Sequence, residues 1–114
     1  MADRKAVKDL KSSEKYNKIR QDLLDQLDRN RTYGEQFKDL VEDDMAFWIT
    51  KTLLIEDINK RGVSVKYNNG GGQSGYKKND SIAELNKTNA QMLKLLNELS
   101  IKATVENSGD DDDL

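Results

Sequence analysis

Apolar positions fall into three stretches with helical spacing and one that alternates. Tyr16, Ile19, Leu23 and Leu27 recur at steps of three and four. They follow Ser12 and Ser13, either of which can accept a hydrogen bond from a free first-turn amide, so a helix is expected over about 13–30. Phe37, Leu40, Val41, Met45, Trp48, Ile49, Thr52, Ile55 and Ile58 form the broad face of a longer helix, about 33–60, capped by Thr32 and stopped by Gly62. Phe47, Leu53 and Leu54 fall off that face, so the middle of this helix is apolar nearly all round. Such a helix is buried on more than one side, which in a small protein points to contact with another subunit.

The period then changes. Val63, Val65 and Tyr67 alternate with Ser64, Lys66 and Asn68, a strand with two unlike faces. Asn69-Gly70 supplies residues able to adopt positive φ, and Gly71 and Gly72 loosen the tip, so a hairpin is expected over about 63–77, returning through Tyr76 and Lys77. Asn79 can cap a third helix, about 80–100, with Asp80 placed favourably against its dipole. Ile82, Leu85, Asn89, Met92, Leu96 and Leu99 follow one another at heptad spacing, which puts Asn89 on a seam. Its amide is either a partly exposed interruption or a buried group that selects register. The expected fold is mainly α: three helices, a short hairpin between the second and third, and surfaces suited to forming an oligomer.

The ends read differently. Residues 1–12 lack a sustained apolar period and are expected to form a flexible basic arm, residues 13–102 the folded domain, and residues 103–114 a disordered acidic tail. With 35% charged residues the chain has little apolar surface to spare, so completing its core against copies of itself is a reasonable expectation. The net charge of −2 conceals a strong asymmetry: between Lys60 and Lys78 there are five basic residues and no acidic one.

The chain has no cysteine and no histidine, so thiolate metal sites, thiol nucleophiles and imidazole acid–base chemistry are excluded. Gly70-Gly71-Gly72-Gln73-Ser74-Gly75 lacks the Gly-Lys-Ser/Thr ending of a nucleotide P-loop. Glu42-Asp43-Asp44 and Glu56-Asp57 lie on one helix, whereas two-metal sites need carboxylates converging from separate elements; a solvated helix face is the expectation for both. No catalytic residue, cofactor or metal site is expected. The absence of a signal-peptide core and of a long apolar run gives a protein expected to act in solution inside a cell, away from membranes.

Several stretches together resemble phage terminase small subunits of a short, hairpin-containing kind. They are the long helix leading into Lys60-Arg61-Gly62-Val63, the run Tyr67-Asn68-Asn69-Gly70-Gly71-Gly72, then Lys78-Asn79 and the helix from Glu84-Leu85-Asn86-Lys87 to Leu99. The chain departs from that family's habit in having Asn79-Asp80 for Asn-Pro and Leu99-Ser100-Ile101 for Leu-Gly-Leu. The resemblance implies a non-enzymatic, ring-forming component of viral DNA packaging in the host cytoplasm. Such a protein recognises the packaging site on double-stranded phage DNA and recruits or regulates a large ATPase-nuclease subunit. The contrasting expectation is a small helical adaptor with no DNA role.

Two basic regions are candidates for DNA contact: Lys60, Arg61, Lys66, Lys77 and Lys78 around the hairpin, and Arg4, Lys5, Lys8, Lys11, Lys15 and Lys18 near the N-terminus. Lysines on strands also discourage aggregation, a plainer role for the first group. Trp48, Ile55, Ile82, Leu85, Asn89, Met92 and Leu96 are the residues expected at an oligomer interface.

Overall fold

The computed structural model describes residues 4–101. Its elements are α1 (Arg4–Lys11), α2 (Glu14–Arg29), α3 (Glu35–Arg61), β1 (Ser64–Gly70), β2 (Gln73–Lys78) and α4 (Asp80–Glu98). The fold is mainly helical, and the hairpin stands where the alternation placed it. There are four helices in this span, however, not three, because part of the segment assigned to the basic arm is itself helical. Val7 and Leu10 of α1 pack against the core. Two such residues are too few to establish a period in the sequence, but they suffice to dock a short helix once a neighbour offers apolar surface. The acidic tail expected at residues 103–114 lies outside the described residues.

The helix ends explain where the sequence boundaries moved. Ser13 caps α2: its hydroxyl accepts the Tyr16 amide at 3.2 Å and donates to the Leu10 carbonyl at 2.6 Å, joining α1 to α2. At the other end Arg31 takes φ +56°; its amide donates to Asp28 O at 3.0 Å and the Thr32 amide to Leu27 O at 2.9 Å. This is a Schellman closure, which satisfies the last free carbonyls of the helix. Thr32 is thereby committed to ending α2 and does not cap α3, which begins behind Gly34 with no side-chain cap. The same closure ends α4, where Ser100 has φ +56° and Ile101 donates to Leu96 O at 2.9 Å.

α3 is the central helix, in contact with α1, α2 and α4. One side of its apolar surface is met within the chain, while Phe47, Leu54 and Ile58 are half-buried outside the core and Ile55 is exposed. Val41, Met45, Trp48 and Ile49 are buried together with Tyr16, Leu23, Leu27 and Leu99. Burying each aliphatic side chain of this set stabilises the fold by roughly 1.5–3 kcal/mol. Trp48, expected at a subunit interface, belongs to this core, where the Tyr16 ring meets it edge-on with centroids 5.7 Å apart.

The inward stripe of α4 departs from the expected seam in its middle. Thr88 is buried and Asn89 exposed, with Leu85, Met92 and Leu96 half-buried. The Thr88 hydroxyl donates to Glu84 O at 2.9 Å, so its burial leaves no polar group unpaired. The core occupies the end of the α3–α4 pair nearest α2. From Ile49 to Arg61, α3 continues for about 18 Å, and the hairpin extends the molecule further, to overall dimensions of 64 × 35 × 23 Å.

Candidate nucleic-acid interface

The hairpin turns through Gly71-Gly72, two residues beyond the expected centre of the turn. Gly70 pairs with Gln73, leaving Gly71 and Gly72 as the loop, with φ +56° and +80°. Positive φ at both loop residues is what a tight turn between right-twisted strands requires, and glycine supplies it without steric cost. Asn69 is left over as a bulge between Asn68 and Gly70, and Asn68 Oδ1 accepts the Gly70 amide at 2.8 Å. The glycines thus form a close turn with a bulge, not a loosened tip.

This register sorts the lysines. Ser64 lies opposite Lys78, Lys66 opposite Tyr76 and Asn68 opposite Ser74 on one face of the ribbon. Val65 opposite Lys77 and Tyr67 opposite Gly75 occupy the other. Lys66, Tyr76 and Lys78 therefore share an exposed face, with Tyr76 74% accessible. Lys77 lies on the reverse, 3.8 Å from Asp80. On that side Tyr67 reclines over Gly75, where a Cβ would meet the Tyr67 hydroxyl at 3.1 Å.

A polar clamp holds the base of the hairpin. Arg61 Nε and Nη2 donate to the two carboxylate oxygens of Asp57 at 2.6 and 2.7 Å. Asp57 Oδ2 also accepts from Ser81 Oγ at 2.6 Å and from Asn79 Nδ2 at 3.3 Å. Asn79, fully buried, accepts the Ser81 amide at 2.9 Å as the cap of α4 and donates through Nδ2 to Gly62 O at 2.9 Å. Its own amide donates to Val63 O at 2.8 Å, tying the strand entering the hairpin to the one leaving it. Arg61, then Ser81 and Asn79, hold the Asp57 carboxyl well below the usual carboxylate range, and Asp57 in turn raises Arg61.

The basic residues of this region consequently divide by circumstance. Lys60 is exposed at the end of α3, Lys66 and Lys78 are displayed beside Tyr76, and the charge of Arg61 is offset inside the clamp. In the N-terminal region Arg4, Lys8 and Lys11 lie along one exposed side of α1, and Lys15 and Lys18 are exposed on α2. Of the carboxylates expected on a solvated face, Asp43 and Glu56 are exposed and the other three depart from it. Glu42 is paired with Arg20 at 2.6 Å, Asp57 is the centre of the clamp, and Asp44 is buried. Among the described residues no group of three or more acidic side chains is placed to hold a metal ion, and no helix is long and apolar enough to cross a membrane.

The chain matches the family model described as phage terminase, small subunit, over residues 5–105. It belongs to that family. No curated protein and no solved structure matches it. Membership gives this terminase small subunit a role in phage DNA packaging, within a family whose members are generally non-catalytic.

Two features of the terminase small subunit's hairpin are not apparent from its sequence pattern. A turn at Asn69-Gly70 would set Lys66 opposite Gln73; only the Gly71-Gly72 turn and the bulge bring it opposite Tyr76. The clamp is signalled in part, through the Asn79 cap and the four-residue spacing of Asp57 and Arg61, a natural ion-pair distance on a helix.

Proposed function

We propose that this terminase small subunit binds packaging DNA through the exposed hairpin face of Lys66, Tyr76 and Lys78, assembles as a homo-oligomeric ring in the host cytoplasm, and recruits or regulates the large subunit. The observation that carries the DNA reading is the cross-strand register, which gathers two lysines and an accessible tyrosine on one side of a projecting ribbon. A two-stranded ribbon is narrow enough to enter a major groove or lie along a backbone, with lysines on phosphates and a tyrosine hydroxyl able to donate or accept. The clamp fixes the angle at which the ribbon leaves the helices, so the face is presented rigidly. Lys60 lies at the root of the same projection.

Replacing Lys66 and Lys78 together with alanine should weaken binding to packaging-site and random duplexes alike and lower the salt slope by about 1 for each phosphate no longer neutralised. Lys77→Ala, on the opposite face, should change affinity less than about twofold, as expected for a lysine outside the DNA-facing surface. Fluorescence anisotropy across a salt series measures both. Equal effects from the two faces would remove the hairpin-face reading. Unchanged binding by the double variant, with loss on neutralising Arg4, Lys8 and Lys11, would place the DNA on α1 instead. No DNA binding by the wild-type chain would favour the adaptor.

A further inference from the structure

Between the C-terminal half of α2 and the N-terminal half of α3 lies an open groove of about 960 Å³. Leu24 and Leu27 contribute to its lining, Tyr33 stands at its mouth two-thirds exposed, and Asp28, Glu35 and Asp39 supply negative charge. Arg20 is paired with Glu42 within the groove, and Lys38 reaches only the exposed Glu35, at 3.6 Å. Among the described residues Asp28 and Asp39 have no ion-pair partner, so the groove presents uncompensated negative charge beside apolar surface.

The complementary surface is on the same molecule. At 100° per residue, Arg4, Lys8 and Lys11 fall within about 60° of one another on α1. Lys15 and Lys18 are exposed on one side of α2, which also carries Asp22, and among the described residues none of the five basic residues is in an ion pair. On α2 this side points roughly 150° away from Arg20, Leu24 and Asp28, which face the groove. A basic edge and an acidic groove on nearly opposite sides of one helix cannot meet within a monomer. They can meet between copies, each giving its edge to the next. That is a heterologous contact, the kind that closes into rings.

We infer that the α2–α3 groove receives the basic α1–α2 edge of a neighbouring copy of this chain. The inference rests on the ring-forming part of the proposed function and names its contact surface. It also removes the α1 charges from DNA binding and leaves that task to the hairpin.

Complementary charge reversal in the full-length chain tests it. One variant carries Lys8→Glu, Lys11→Glu and Lys15→Glu; the other carries Asp28→Lys and Asp39→Lys. All five positions are exposed, and circular dichroism is the check that each variant folds. Sedimentation velocity should show wild-type assembly weakening as salt rises, and each variant alone should associate at least about tenfold more weakly. Mixed in equal amounts, the two variants should assemble, because each supplies the partner the other lacks. Unchanged assembly of either variant alone, or no recovery on mixing, overturns the inference while leaving ring formation by another surface intact. A wild-type chain that stays monomeric at low salt overturns both the inference and the ring-forming reading, and DNA binding by the hairpin is then judged separately by its own measurement.

Discussion

Asp44 is 3% exposed, and its Oδ1 has no hydrogen-bond partner among the described residues. Burial pushes its carboxyl up to about 6, opposed only in part by Lys51 seven residues along α3. A carboxyl with a folded pKa above its unfolded value near 3.9 opposes folding once it ionises. Its effect on stability is therefore neutral below about pH 4, grows unfavourable as the pH rises to about 6, and is complete above that, at about 3 kcal/mol as an upper bound. Asp44→Asn should raise the melting temperature at pH 7.5 and do little at pH 4, flattening the pH profile between them. Melts of both proteins across that range check it; an equal shift at both ends would show that ionisation is not the cause.

Ser100 poses a backbone question of the same scale. Its φ of +56° is one that L residues adopt at a cost and glycine adopts freely. This is the position where the sequence departs from Leu-Gly-Leu, and the chain nevertheless closes α4 with the two hydrogen bonds of the Schellman motif. Ser100→Gly should stabilise the protein by up to about 1 kcal/mol, part of the gain being offset by the greater freedom of glycine in the unfolded chain. Chemical denaturation measures it, and a loss of stability would mean that the serine has a role its backbone does not reveal.

Among the elements, the hairpin depends on the clamp because a two-stranded ribbon is marginal alone and this one makes extensive contact only within itself. Asn79→Ala removes the α4 cap, leaves the Gly62 carbonyl without its side-chain donor and takes one of three donors from Asp57 Oδ2. The expected cost is about 1–3 kcal/mol in global stability, with faster amide hydrogen exchange concentrated in residues 63–78. Uniform acceleration across all four helices would mean that the clamp is not local. The favourable share that Asp57 adds is in place above the unfolded carboxylate pKa and disappears as the pH falls into the strongly acid range, opposite in sign to Asp44.

The same elements show which parts were legible in the sequence. Long apolar periods located α2, α3 and α4, and the strand alternation located the hairpin. Three things were not legible, each because its cause lies elsewhere in the chain. α1 brings only Val7 and Leu10 to the core, too few to set an apolar period. Thr32 is taken by the end of the preceding helix. Thr88 displaces Asn89 from the inward face of α4, which the packing of α3 decides. The positions of the candidate site residues along the chain were readable, but their faces were not, because face depends on a turn whose three glycines allow more than one register.

At the scale of the whole molecule, the core gathers around α2, α3 and the end of α4; the groove proposed for a neighbouring copy borders it through Leu24 and Leu27, and the hairpin lies away from it. The groove and the basic edge flank α2, and the hairpin extends past the end of α3. Half-buried Leu85, Met92 and Leu96, exposed Asn89 and Ile55, and half-buried Ile82 lie along the helices between these regions. Met92 and Leu96 pack against the core, whereas Ile55 and Asn89 are exposed; under the proposed charge-held assembly, salt should separate copies before it unfolds them.

At its root the hairpin is closed by Asn79, whose backbone amide meets the Val63 carbonyl and whose side-chain amide meets the Gly62 carbonyl. Everything beyond that point is a cassette. Its length, tip and side chains can be exchanged without altering how α3 is connected to α4 or what the core contains. Under the DNA role proposed above, a change in what the hairpin contacts would be confined to some fifteen residues, and a chimera carrying a relative's residues 64–78 would move that contact as a unit.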